Sequence, residues 1–306
     1  MGVTKFPRGV SSFGFPVIGS GPYVTTGNIF FVNSVTGSNG NSGLEPALPF
    51  ATIDYAVGKC TASKGDTIFV MPGHTETITA AGGLTLDVVG VTIIGLGTVG
   101  SRPKLNFITS TGASMKVTAA SCEMSNVNFT GGLDALTNPI HVQAADFRLQ
   151  NWKWTDVTGQ ATDVVLTTAA AGRMELSDFI FDGATAAGTN AGIALVGGDG
   201  ISIHDFTMDG NFAVGGIDIR TTAATDIEVY NVRFRTRNAA DIFIIDTITA
   251  STGNIGPNIS LRLQDNAANI TEAITGATFV LHQKISVVNL AGEVGMEINT
   301  TASTDA

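Results

Sequence analysis

The chain has 306 residues, of which 43% are apolar and only 14% charged, with 37 glycines and a formal net charge of −10. No basic run interleaves with aromatics, which speaks against nucleic-acid binding, and no apolar run approaches the roughly 20 residues of a membrane helix. Low charge with abundant Gly, Thr, Ala and Asn favours short strands bounded by turns over helices.

Residues 1–26 begin MGVTKFPRGVSSFGFP. They lack the apolar core of a secretion signal, and Phe6 stands where a myristoylation motif needs Ser or Thr. Their Gly, Ser and Pro content reads as an extended arm that orders on binding, with Phe6, Phe13, Phe15 and Tyr23 as anchors. The alternative for these rings is packing against the protein's own first coil. Residues 27–66 read as a cap. In PFATIDYAVGKC (49–60), Ile53, Ala56, Val57 and Cys60 fall at i, i+3, i+4 and i+7, one face of a short helix. Thr52 is its expected N-cap. GDTIFVMPG (65–73) follows as the first coil strand.

From there a pattern recurs: apolar-x-apolar-x-[Asn/Asp]-apolar-x-apolar. It appears as CEMSNVNF, FRLQNWKW, MELSDFIF, ISIHDFTM and IEVYNVRF, beginning at Cys122, Phe147, Met174, Ile201 and Ile227, with spacings of 25, 27, 27 and 26 residues. A fixed period of this size means a solenoid. A second ladder runs in phase, read as Met115/Val117, Ile140/Val142, Val164/Leu166, Ile193/Leu195, Ile217/Ile219 and Ile242/Ile244. Each coil then holds a first strand, a loop, a second strand, a sharp bend and a third strand. The expected fold is all-β: a right-handed parallel β-helix of three-strand coils of about 25 residues with a short N-terminal capping helix. It should run over 67–266, with 267–306 as C-terminal cap and tail, holding no further copy of the repeat and available for oligomerisation.

The bend needs a residue tolerant of left-handed backbone, which Asn and Asp are. Gly95, Asn126, Asn151, Asp178, Asp205 and Asn231 fill that slot. Two inward stacks follow: Phe129, Trp154, Phe181, Met208 and Phe234, and Val127, Trp152, Phe179, Phe206 and Val232. A sugar-stacking surface is the rival reading. Core packing is favoured because these positions alternate with polar residues. Cys122 sits on a core position, and neither the two cysteines nor the four scattered histidines show ligand spacing. No metal or cofactor is expected.

GNIFFVNSVTGSNGNSG (27–43), PFATIDYAV (49–57) and GDTIFVMPGHTETI (65–78) resemble the entry segment of parallel β-helix proteins, among them pectate-lyase-like enzymes and bacteriophage virion proteins. TKFPRGVSSFGFPVIGSGP (4–22) and VVNLAGEVGMEINTTAS (287–303) are similar to the ends of phage structural proteins, especially head decoration proteins. The resemblance implies a non-enzymatic capsid-decoration or head-fibre protein. It would be a homotrimer on the virion surface, assembled in a host cytoplasm. The arm would dock on the major capsid protein or another virion protein. The runner-up is a tailspike-type depolymerase or a glycan-binding receptor protein. For an enzyme, the best candidates are Asp182 and Asp209. They are expected at the same outward position on adjacent coils beside Arg235, about 5 Å apart, a separation compatible with retaining glycoside hydrolysis. Two solvated aspartates at a strand end are the plainer reading. Lys153 and Arg233 fall on a matching outward column. Glu123, Arg148, Glu175, Ser202 and Glu228 form a mixed-charge column.

Overall fold

A computed structural model describes residues 25, 27–156, 163–186, 188–237, 242–248, 250–263, 274–275, 278–282, 285–288 and 294–295. The anchors Phe6, Phe13, Phe15 and Tyr23 lie outside these residues, as does the tail.

The chain is a parallel β-helix. Eight parallel strands form the first row, from Leu84–Leu86 to Ile274–Thr275. The second and third rows share one large sheet, because in three coils the strand runs unbroken through the bend. These strands are Glu175–Asp182, Ser202–Gly210 and Ile227–Thr236. Register is one residue per coil: Leu176 faces Ile203, which faces Val229, and Phe181 faces Met208, which faces Phe234.

The bend forms as its residue types dictate. Asn126, Asn151, Asp178, Asp205 and Asn231 all have φ between 51° and 58°. Their side chains also bond from coil to coil. Asn151 Nδ2 donates to Asn126 Oδ1 at 3.1 Å, and Asn231 Nδ2 donates to Asp205 Oδ1 at 2.9 Å. Gly95 differs. It aligns with Asn126 across the pair of strands, but the left-handed residue in that coil is Gly97, with φ 102°. Gly95 is needed for space, since a Cβ there would lie 2.1 Å from the Asn126 carbonyl oxygen.

A second left-handed ladder precedes seven of the second-row strands. Gly65, Gly90, Ser121, Asp146, Arg173, Gly200 and Asp226 have φ of 52–77°. Each stands directly before the first buried residue of its second-row segment. Their varied chemistry conceals the ladder, although two members pair: Arg173 Nε donates to Asp146 Oδ1 at 2.6 Å.

Both inward stacks are core. Trp152, Trp154, Phe179 and Phe181 are at most 1% exposed, which removes the sugar-stacking reading. Trp152, Phe179 and Phe206 stack face to face with centroids 4.4 Å apart at each step. The indole N–H groups of Trp152 and Trp154 have no hydrogen-bond partner among the described residues, a polar cost that the ring burial outweighs.

Three readings need correction. In the first row, Ile140 pairs with Val165 and Ile217 with Ile244, so Val165/Thr167 and Ile244/Asp246 take the places expected for Val164/Leu166 and Ile242/Ile244. Loop length, which periodicity does not fix, shifts that register. Secondly, the coil continues past residue 266. Phe279–Leu281 and Ile285–Val288 pair in parallel with Gly253–Ile255 and Ile259–Arg262. Val294–Gly295 then pairs antiparallel with Ile285–Val288. Thirdly, the β-helix begins within the supposed cap, because Ile29–Val32 is already a second-row strand paired with Thr67–Val70.

The cap helix spans Ile53–Val57, with Thr52 as N-cap accepting from the Tyr55 N–H at 3.4 Å. Buried His74 and partly buried Glu76 fasten it. His74 Nδ1 accepts from the Ser34 N–H at 3.0 Å, and Glu76 Oε2 accepts from the Ile53 N–H at 3.0 Å. Cys60 is half-buried beyond the helix. Burial, then the nearby Asp66 carboxylate, push its thiol up to about 12, which marks a packed and unreactive side chain.

Candidate functional site

The outward face of the third row carries the candidate residues. Side chains two apart on a strand share a face, and parallel register stacks them in columns. One column is Thr155, Asp182, Asp209, Arg235 and Arg262. Its neighbour is Lys153, Ile180, Thr207, Arg233 and Ser260. Asp182 and Asp209 are therefore opposite each other on adjacent coils, beside Arg235, as expected. Lys153 and Arg233 share a column three coils apart.

Both carboxylates are engaged. Lys153 Nζ donates to Asp182 Oδ2 at 2.8 Å. Asp209 accepts Arg237 Nε on Oδ1 at 2.7 Å and Arg237 Nη2 on Oδ2 at 3.0 Å, and it also accepts from Arg235. Burial by itself would raise the Asp209 pKa. Hydrogen bonds from Arg237 and Arg235, with their charges, outweigh it and hold the carboxyl below the usual carboxylate range. A general acid in glycoside hydrolysis needs the opposite shift. Asp209 is built as a fixed anion.

Three shallow hollows lie end to end along this face. The first, about 380 Å³, is lined by Arg102, Lys104, Asn128, Lys153 and Ile180, among others. The second, about 450 Å³, includes Ile180, Asp178, Asp205, Thr207 and Arg233. The third, about 380 Å³, includes Thr207, Asp209, Arg233, Arg235, Ser260 and Arg262. Six of the chain's 16 basic residues line them, in a protein of net charge −10. The stretch RFRTR (233–237) carries the local signal: an arginine at every second position lands on one face.

The second row's outward face holds a denser polar knot. His204 Nδ1 meets Asp205 Oδ2 at 2.7 Å, and its ring stacks on Tyr230 with centroids 4.7 Å apart. Gln150 Nε2 donates to Glu175 Oε1 at 2.9 Å, and Arg148 pairs with Glu175 at 3.4 Å. The mixed-charge column is thus a set of coil-to-coil contacts, each worth little in water. On the first row, Arg220 pairs with buried Asp163 and with Asp218 at 2.8 Å. Burial pushes the Asp218 carboxyl up despite Arg220. Asp163 and Arg220 are 57 residues apart, too far for periodic reading to link them. Among the described residues, no three His, Cys, Asp or Glu side chains converge as a metal site would require.

No family model matches the chain, and no curated protein matches its sequence. Among solved structures, a rhamnogalacturonan lyase is similar over 90% of each chain, with a TM-score of 0.44 and 12% sequence identity.

Proposed function

We propose that the chain is a non-enzymatic structural protein of a bacteriophage virion surface, of capsid-decoration or head-fibre type. Residues 1–26 dock it, as a homotrimer, on a capsid or other virion protein, and the β-helix projects outward as a rigid body. The observation that carries the non-enzymatic part is the engagement of Asp182 by Lys153 and of Asp209 by Arg235 and Arg237. The virion part is supported by the resemblance of residues 4–22 and 287–303 to the ends of phage structural proteins. Deleting residues 1–24 is expected to abolish binding to virions while circular dichroism still reports a folded β-helix. Undiminished binding by the truncated protein sinks the docking arm. Immuno-gold label spread over heads, rather than confined to a tail tip, fits the decoration role.

A tailspike-type depolymerase or glycan-binding protein is the second reading, favoured by the hollows along the third row. The structural role expects no reducing ends or unsaturated sugars from host polysaccharide. Their release by the intact protein, lost in Asp182→Asn or Asp209→Asn, would establish the enzyme instead.

A further inference from the structure

The third-row face ends in a concentration of arginines that the packing does not use up. Between residues 148 and 237 the arginines are Arg148, Arg173, Arg220, Arg233, Arg235 and Arg237. Among the described residues, all but Arg233 find a carboxylate partner. Arg262, one coil on, likewise meets no acidic partner among the described residues. Register makes this more than a surface accident. Arg235 stands directly opposite Arg262, and Arg233 opposite Ser260. Like charges opposite each other on paired strands destabilise a sheet, and the carboxylate that lines this hollow, Asp209, is already claimed by Arg235 and Arg237.

The result is a hollow of about 380 Å³ with guanidinium groups from two coils and the Ser260 hydroxyl around it. Its floor is fixed, because Met208 and Phe234 beneath it are fully packed in the core. Arginine forks present paired N–H donors that match a carboxylate or phosphate with two parallel bonds. We propose that this hollow is an oxyanion-binding site, taking a carboxylate or phosphate group carried on a ligand. Arg233 and Arg262 supply the open charge. Ser260 adds a neutral donor, and the Asp209–Arg235–Arg237 set holds one wall in position.

The test uses the full chain and isothermal titration with three probes: tripolyphosphate, an oligoglucuronate and, as neutral control, maltotriose. At least one anionic probe is expected to bind in preference to maltotriose. The double variant Arg233→Gln/Arg262→Gln, both positions exposed and outside the core, should weaken that binding about tenfold or more, as loss of charged hydrogen bonds does. Lys104→Gln, at the far end of the same face, should leave it unchanged. Binding of only tripolyphosphate identifies phosphate as the group, binding of only the uronate identifies carboxylate, and binding of both identifies the shared oxyanion chemistry. The proposal is overturned if neither anion binds, if maltotriose binds as well, or if the double variant binds like the parent.

Discussion

Phe179→Ala is expected to destabilise the protein by about 3–5 kcal/mol, the cost of emptying a core aromatic site. Phe179 lies between Trp152 and Phe206, nearly parallel to both, at interplanar angles of 19° and 6°. Stacked pairs add about 0.5–1.5 kcal/mol beyond area burial. The three rings come from three successive coils, and hydrogen-bonded ladders hold those coils about 4.8 Å apart. The neighbours therefore cannot close on the gap. Ile180, the next residue, points outward and is 53% exposed. Ile180→Ala should change stability by no more than about 0.5 kcal/mol. Urea unfolding of the two variants checks this, and equal midpoints would remove the stack as a principal source of stability.

Gly95→Ala is expected to cost about 3 kcal/mol, the upper end of what overpacking a filled space costs. The new Cβ would sit 2.1 Å from the Asn126 carbonyl oxygen and 3.1 Å from the Pro103 Cδ. Both neighbours are constrained. The flanking strands are locked by the pairing of Thr92, Ile93 and Ile94 with Glu123, Met124 and Ser125. Asn126 also donates its side-chain amide back to the Gly95 carbonyl at 2.7 Å. Relief requires separating two coils. Gly100→Ala is the control, since a Cβ there meets nothing within 4 Å. Thermal melting compares them. A Gly95→Ala variant that melts with Gly100→Ala would show that the coils yield at this point.

These two expectations draw on different kinds of legibility. Phe179 as a core ring was readable from alternation alone. So were the Asn/Asp bend, the cap helix with Thr52 at its head, and the placement of Asp182 against Asp209. In a parallel β-helix, residues one period apart in sequence become neighbours in space, so a repeating sequence states its own contacts. Local chemistry does the rest: only a few residue types accept a left-handed bend, and inward positions must be apolar.

Gly95 shows where that reading stops. Its slot was legible, but its reason was not, because a close approach between two backbones has no signature in either segment. The motif fades after the coil of Ile227 for a related reason: one extra residue separates Ile255 from Asn258 compared with Val229 and Asn231, so the repeat no longer matches its template. Asn258 is nonetheless left-handed at φ 62° and donates to Asn231 at 2.9 Å. The first-row register slipped where loops between strands change length.

By itself, then, the sequence determined the repeating coil, its inward face and its bend, since these depend on residues adjacent in the chain or one period apart. The tertiary structure alone decided which outward charges meet. Arg220 finds Asp163 two coils away, Arg237 curls back to Asp209, and Arg233 and Arg262 are left facing an open hollow. Periodicity fixes where a Cβ stands on the sheet. Where a long charged side chain comes to rest depends on every neighbour within its reach, and those neighbours are brought together only by the stacking of coils.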